Sequence, residues 1–276
     1  MSDRSPVGVI IPAYNEAGVI GRLLDALAPG VEDGSLEVVV VPNGCTDDTA
    51  DVARRAGVTV VELDEGSKIA ALNTGDAAIT AFPRFYVDGD VVVTAEGLQA
   101  LAAACEGEVL AASPAISPDM SSSSRLARSY LRVWYGLSWA TDSLGGRGCY
   151  GVSEQGRARW DQFPDQADDQ FVDTLFEPGE RRIVDTVHSV VQAPRTLRSA
   201  VQIKRRLHLL NKRLESDGRE VTSSTEWISV VTANPRLLID APVYVAATIT
   251  ARFLADRDRR RGTTVWHRDE STRPAS

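Results

Sequence analysis

Val7-Gly8-Val9-Ile10-Ile11-Pro12 is an apolar, mostly β-branched run closed by a proline, and it sets the reading of the chain. A run of this length without polar alternation suits a strand buried on both faces. Beyond it, Val19, Ile20, Leu23, Leu24 and Leu27 recur at helical spacing, which gives strand, loop, helix. Glu37 to Val41 is a second apolar run ending in proline, and Thr46 to Asp48 offers an N-cap and early acids for a helix reaching about Ala56. Val58 to Val61 reads as a third strand, Ser67 as the cap of a helix through Ile69, Leu72 and Ala77, and Phe85 to Val87 as a fourth strand. Strands alternating with helices imply right-handed crossovers and an α/β fold with a mostly parallel central sheet flanked by helices. Ligands in such sheets bind beyond the carboxyl ends of the strands. Those ends carry Tyr14 to Glu16, Asn43 to Thr46, and Asp88 to Asp90.

Farther along, Thr94 caps a helix through Leu98, Leu101 and Cys105, and Val109 to Ala112 forms a strand. Ser113 to Ser124, rich in Ser and Pro, reads as a loop and a mobile flap. Arg125 to Trp139 reads as one basic, aromatic helix, packed as core or touching a lipid-linked acceptor. Cys149 to Val152 and Val187 to Val191 read as strands, and a basic helix runs through Gln202 to Leu214. A polar linker, Glu215 to Thr225, and a basic, frayed tail from Arg257 frame the apolar stretch Leu237 to Ala255. Asp240, Pro242 and Arg252 make that stretch a poor bilayer span, better suited to a helix packed on the domain or lying at a membrane surface. The expected organisation is a catalytic domain over 1–215, with a nucleotide-binding half to about 112 and an acceptor-side half over 113–215, and a C-terminal helical extension and tail over 216–276. There is no internal repeat.

The formal net charge of −8 disfavours a surface built to neutralise nucleic-acid phosphates. Three widely spaced cysteines, Cys45, Cys105 and Cys149, suggest neither a disulfide framework nor a metal site. The polar Met1 to Pro6 lacks the apolar core of a signal peptide. A cytoplasmic protein, peripheral at most at the inner face of the membrane, is the expectation. His188, His208 and His267 are not at metal-ligand spacing and read as structural or surface residues.

The sharpest chemical feature is Asp88-Gly89-Asp90, directly after the strand Phe85 to Val87. Two carboxylates two residues apart at a strand end can be aimed into one crevice, where hard oxygens suit Mg²⁺ or Mn²⁺ bridging a diphosphate. Taken alone, the same residues also suit a solvated turn. A divalent cation there would act as a Lewis acid on a departing diphosphate.

With this motif the chain resembles the inverting family 2 glycosyltransferases of the Rossmann-like GT-A fold. Pro12-Ala13-Tyr14-Asn15-Glu16 is similar to the family's opening Pro-x-Tyr-Asn-Glu, and Val41-Pro42-Asn43-Gly44-Cys45-Thr46-Asp47-Asp48-Thr49 to its Val-Asp-Asp-Gly-Ser-x-Asp-x-Thr. Lys68 to Gly75 resembles the family's Gly-Lys-x-x-Ala-Leu-Asn-x-Gly stretch, and Asp168-Asp169 its Glu-Asp pair. Gln202-Ile203-Lys204-Arg205-Arg206 resembles a Gln-x-x-Arg-Trp box whose Trp is replaced by Arg206, which disfavours processive elongation.

The resemblance implies a donor site of Pro12, Tyr14, Glu16, Asn43, Lys68, Asp88 and Gly89, with Tyr14 against the base, Glu16 on the ribose and Asn43 at the base edge. Asp90, with Asp88, would hold Mg²⁺ or Mn²⁺. Asp169, beside Asp168, would take a proton from the acceptor hydroxyl. Gln202, Arg205 and Arg206 would clamp the diphosphate or cover the acceptor channel, unless they form a solvated basic helix face. Lys68 suits a phosphate contact or an exposed helix start, and Asn73 carries less weight. Asn43 stands where the family has an acid, so uracil is not fixed as the donor base. The implied partners are a nucleotide-diphosphate sugar and an acceptor that is a glycan, a lipid-linked sugar or a small metabolite, with no nucleic acid. Two other readings remain. A sugar-phosphate nucleotidylyltransferase would want a Gly-rich, Arg- and Lys-bearing loop after the first strand. An inactive sugar-nucleotide-binding module would tolerate loss of Asp90 or Asp169.

Overall fold

A computed structural model describes residues 5–165, 168–216 and 225–261 of the protein. The chain opens with β1 (Val7–Ala13), α1 (Ile20–Glu32), β2 (Leu36–Pro42), α2 (Thr49–Arg55), β3 (Thr59–Val60), α3 (Lys68–Ala78), β4 (Arg84–Val87), β5 (Val91–Val92) and α4 (Ala95–Ala104). It continues through β6 (Ala111–Asp119), α5 (Arg125–Trp134), α6 (Ser138–Asp142), β7 (Cys149–Val152), α7 (Glu154–Arg157), α8 (Asp168–Asp173) and β8 (Arg181–Gln192). It closes with α9 (Leu197–Ser216), α10 (Glu226–Ala233), a 3₁₀ turn Pro235–Ile239, and α11 (Ala241–Arg261).

The strands form one mixed sheet in the order β3-β2-β1-β4-β7-β6-β8-β5. β1 pairs in parallel with β2 and β4, and β2 with β3. β7 joins antiparallel to β4 and β6, as β5 does to β8. The expected alternation thus gives the parallel half, and the later strands extend it with the opposite sense. β1 is buried throughout, and its side chains alternate between two cores. Val9, Ile11 and Ala13 meet Leu23 and Leu27 of α1 and Leu98 and Leu101 of α4. Ile10 belongs to the other face, with Ala71 and Leu72 of α3. The four leucines of the first face are fully buried, each contributing about 1.5–3 kcal/mol through apolar burial.

Local signals set the helices that frame the strand ends. Ser67 Oγ accepts from Ala70 N–H at 3.2 Å and Thr94 Oγ1 from Gly97 N–H at 3.1 Å, the expected caps of α3 and α4. α3 lies very close to the sheet at Gly75, where a Cβ would stand 2.5 Å from Ile10 Cγ2. Only glycine permits that approach.

Two expectations fail. Ser113 to Ser124 is not a flap, because β6 continues to Asp119. Ser113 is fully buried, its hydroxyl directed at Cys149 O (2.5 Å) and Leu144 O (3.2 Å), and Pro114 O accepts from Arg147 Nη1 at 3.0 Å. Proline removes a donor but leaves an acceptor, so it can extend a strand where no N–H is required. The helix expected over Arg125 to Trp139 ends at Trp134, and α6 begins at Ser138. Gly136 lies in the break, where a Cβ would stand 2.7 Å from Val230 Cγ1.

Contacts gather the chain into one unit of Met1–Ser117 with Asp142–Val191 and a second of Pro118–Thr141 with Gln192–Ser276. α5 is the reason: Ala127, Tyr130 and Leu131 pack with Ala200 of α9, Val231 of α10, and Tyr244 and Ala251 of α11. Tyr130 stacks on Tyr244 with centroids 5.4 Å apart. The aromatics of this basic helix are therefore core. Among the described residues no helix is long and apolar enough to cross a membrane. Most of the expected linker and the tail beyond Arg261, with His267, lie outside the described residues; Arg257 to Arg261 belong to α11.

Candidate active site

The site lies in the sheet-containing unit, at the carboxyl ends of β1, β2 and β4. The loops after β1 and β2 are laced together. Asn15, at φ 50°, occupies the left-handed region that Asn tolerates. Its Oδ1 accepts from Thr46 N–H at 2.8 Å. Thr49 Oγ1 accepts from Glu16 N–H at 2.7 Å, and Asp47 Oδ2 from Ala17 N–H at 3.1 Å. Burial alone would raise the Asp47 carboxyl, but hydrogen bonds from Thr49 and Ala17 hold it below its ordinary value. Asp47 and Thr49 thus serve the loop's shape. Tyr14 is left 44% exposed, its ring edge beside Gly66. Asn43 is buried, and its amide nitrogen donates to Ala13 O at 2.9 Å and Val41 O at 3.3 Å, tying the two strand ends.

After β4 the chain turns through Asp88-Gly89-Asp90, with Asp88 N–H donating to Gly148 O at 2.8 Å and Val91 N–H to Asp88 O at 3.1 Å. Gly89 has a steric reason. A Cβ there would fall 2.0 Å from Glu16 Oε2, so the Glu16 carboxylate rests against the centre of the acidic motif.

Asp88 enters a pocket lined by Pro12, Lys68, Leu72, Tyr86, Val87, Gly148, Tyr150, Asp168 and Asp169. Lys68, at the start of α3, bridges two distant acids: its Nζ is 2.8 Å from Asp88 Oδ1 and 2.9 Å from Asp168 Oδ1. The other oxygen of Asp168 accepts from Tyr150 OH at 3.0 Å. Asp169 Oδ2 accepts from Gly146 N–H at 2.7 Å and Oδ1 from Gln170 N–H at 2.8 Å, which fixes the plane of the carboxylate.

Exposure separates these acids. The Asp168 side chain is 7% exposed, whereas Asp88 and Lys68 keep 41% and 45% of their side-chain surface at the mouth. An ion pair this exposed is worth about 1 kcal/mol or less, so Lys68 can leave Asp88 at small cost when a ligand enters. The recess still governs titration. Desolvation, opposed by Lys68 and reinforced by Asp168 and Asp90, pushes the Asp88 carboxyl up to about 6. Burial and then Asp168 raise Asp169, against Lys68 and the two N–H donors. Burial alone would lower Lys68, but Asp168, Asp88 and Asp169 hold its ammonium well above the ordinary value. Three carboxylates thus share one ammonium, an excess of negative charge that suits a divalent cation with oxygen ligands.

Asp90, half-buried, lies outside the pocket lining but close enough for its charge to act on Asp88. Asn73 Oδ1 accepts from Phe163 N–H at 2.9 Å, a tie between α3 and the loop before α8. In the second unit, Arg205 forms an ion pair with Asp258 and donates to Gln202 Oε1 at 2.9 Å. Arg206 lies beside them on α9. Tyr86 and Tyr150 also shape the site, and nothing in the sequence marks them, since each enters through strand pairing. Gly146 lies in the glycine-rich stretch Gly145-Gly146-Arg147-Gly148, which resembles the family's acceptor-side segment. Cys45, Cys105 and Cys149 are free, and His188 is exposed.

This geometry has relatives. The mannosyltransferase PcManGT of Pyrobaculum calidifontis, solved with GDP-Man and Mn²⁺, superposes with a TM-score of 0.60 at 23% identity, over 95% of this chain and 77% of that one. Glucosyl-3-phosphoglycerate synthase of Mycobacterium tuberculosis, solved with UDP, gives 0.52 at 20% identity, over 69% and 72%. At such identities the likeness shows the fold, an α/β fold of the GT-A kind. Among curated proteins, glycosyltransferase AglE of Haloferax volcanii is 35% identical over 91 residues, 30% of each chain. Validoxylamine A glucosyltransferase of Streptomyces hygroscopicus subsp. jinggangensis is 34% identical over 110 residues, 37% of this chain and 26% of its own. The chain thus matches about a third or less of the length of these relatives. The sequence pattern described as Glycosyl transferase family 2 matches residues 8–153, more than half of the chain, and takes in every motif from Pro12 to Asp90 while ending before Asp168. With the laced strand ends, the acidic turn after β4 and that match together, the chain belongs to glycosyl transferase family 2.

Proposed function

We propose that the protein transfers a sugar, with inversion, from a nucleotide-diphosphate donor to an acceptor hydroxyl. The observation that carries this reading is the Lys68 bridge, which draws the acidic turn at Asp88 and the acid pair at Asp168 into one pocket. Inverting transfer needs a leaving group and a base on opposite sides of one sugar, and these two acid groups supply such a pair of poles.

Tyr14 offers its exposed ring to the base, Glu16 its carboxylate to the ribose, and Asn43 the base edge. With both amide hydrogens engaged by main-chain carbonyls, Asn43 has only its carbonyl oxygen to offer, an acceptor as an aspartate would be. The donor base and sugar stay open. Asp90 and Asp88 would hold Mg²⁺ or Mn²⁺, which supplies Lewis-acid stabilisation of the diphosphate when bound. Among the described residues no three His, Cys, Asp or Glu side chains are grouped to enclose a metal, which suits a cation that completes its shell with diphosphate and water. Lys68, released from Asp88, is a point charge for phosphate. Asp169 takes the acceptor proton, held in plane by Gly146 and Gln170 N–H, while Tyr150 and Lys68 orient its neighbour Asp168. Gln202, Arg205 and Arg206 are proposed for the diphosphate or acceptor side. The acceptor is a glycan, a lipid-linked sugar or a small metabolite.

A thermal-shift screen of UDP, GDP, dTDP and CDP sugars, with and without Mn²⁺, tests the donor class. One nucleotide should stabilise the protein only with the metal, and Asp90→Ala should abolish that dependence. Stabilisation indifferent to both metal and Asp90 would sink the reading. A nucleotidylyltransferase is disfavoured because the loop after β1 presents Tyr14 and Glu16 rather than a basic, Gly-rich cradle.

A further inference from the structure

α11 is apolar on two sides. One face, Tyr244, Ala247, Ala251 and Ala255, is buried. The outward face also carries large apolar side chains: Ile249 is 61% and Phe253 67% exposed, one helical turn apart. Just before the helix, Leu238 and Ile239 are 63% and 85% exposed. Clustered large apolar side chains on a surface mark a place of contact, and among the described residues nothing covers this outward stripe. We propose that this stripe docks on an anionic lipid bilayer, with α11 lying in the plane of the interface.

Charge selects the occupant. Continuing the stripe by helical spacing from Phe253 brings Arg257 and Arg260, both exposed, and Arg236 stands in the turn before the helix. The acids of the same segment are mostly withdrawn. Asp240 is buried against Arg132 and Ser129, and Asp258 against Arg205. Only Asp256 faces solvent, and it pairs with Arg259 at 3.5 Å. On a chain of net charge −8, this is a local basic edge beside an exposed apolar strip, the pairing that binds acyl boundary and anionic headgroup together. A second copy of the chain fits the stripe poorly. Side by side in the same direction, arginine would meet arginine; in opposite directions, arginines would be laid over Leu238 and Ile239 with no acid to receive them. Phosphate headgroups supply both the counter-charge and the apolar layer. The proposal is independent of the transfer chemistry.

The test is sedimentation of the full chain with vesicles of phosphatidylcholine alone and of phosphatidylcholine with phosphatidylglycerol. The protein should pellet with the mixed vesicles, and high salt should weaken the binding. Replacing the paired residues by Ile249→Ser and Phe253→Ser should abolish pelleting with the melting temperature unchanged, since both side chains are exposed. Arg257→Glu with Arg260→Glu should weaken it by roughly fivefold or more per arginine. Binding that ignores either pair of substitutions, or no binding to anionic vesicles, would overturn the proposal. So would a dimer in sedimentation equilibrium that Phe253→Ser dissolves, which assigns the stripe to a second copy. Protection of Ile249 and Phe253 from hydroxyl-radical labelling in the vesicle-free monomer would assign it to residues 262–276 and overturn the proposal equally.

Discussion

The two units of the chain handle charge in opposite ways. In the sheet-containing unit, Asp88 after β4 and Asp168 at the start of α8 share the ammonium of Lys68, with Asp169 in the same pocket. In the helical unit each buried acid has its own guanidinium: Asp240 has Arg132, and Asp258 has Arg205. Burial and crowding raise the Asp88 and Asp169 carboxyls and leave an appetite for cations, whereas one-to-one pairing neutralises and fixes. The difference separates a place that binds and reacts from a place that holds helices together.

The largest expected effect tests the reactive side of that contrast. Asp169→Asn should cut transfer by roughly 10²- to 10⁴-fold, as loss of a positioned base does, while leaving the melting temperature close to the parent's. Steady-state rates beside a thermal melt would settle it, and a rate within a few-fold of the parent would remove Asp169 from the mechanism.

Asp76 sharpens the comparison. Within the sheet unit it is paired like the acids of the helical one, its Oδ1 held by Arg84 and by Tyr86 OH at 2.7 Å and its Oδ2 by Arg157. Asp76→Ala should destabilise the protein by about 3–5 kcal/mol, because it leaves the buried guanidinium of Arg84 uncompensated. Denaturant unfolding measures this, and a loss under about 1 kcal/mol would show that water reaches the arginines.

A smaller effect follows from the shared ammonium. Asp169 must be ionised to accept a proton, and burial with Asp168 beside it raises its pKa, so the rate should fall as pH drops through a value above the ordinary one for aspartate. Lys68 opposes that rise. Lys68→Met should therefore move the acid limb of the pH–rate profile upward. A limb that stays put or moves downward would mean that Asp169 does not set it. Smallest is Ser67→Ala, which removes the cap of α3 and should cost about 1 kcal/mol in a thermal melt.

Much of this was legible in the chain. β1, β2, β4, α1 and α3 follow from period and capping, because burial on both faces or on one stripe leaves a local signature. β6 beyond Ala112 did not, since Ser113 and Pro114 look like loop until their partners at Cys149 and Arg147 are known. The positions of Asp88 and Asp168 in one recess could be expected from family resemblance. The ammonium joining them could not, because an ion pair between residues 68 and 168 has no period. Arg147 is the extreme case: fully buried, it bonds to the carbonyls of Ser143 and Pro114, and burial lowers its pKa to about 10. Nothing in a sequence marks a cation held by peptide groups.

Gly75 carries a consequence for how the protein can vary. The absent methyl lets α3 settle against Ile10, and Lys68 stands seven residues upstream on the same rigid rod, about 10 Å along its axis. Any side chain at 75 must tilt or lift the rod, and the ammonium would be carried off its two acids. A position that meets no substrate is thus tuned as finely as those that do. A saturation scan for retained activity should find Gly75 nearly as intolerant as Asp169, with its losses appearing first in variants that still fold.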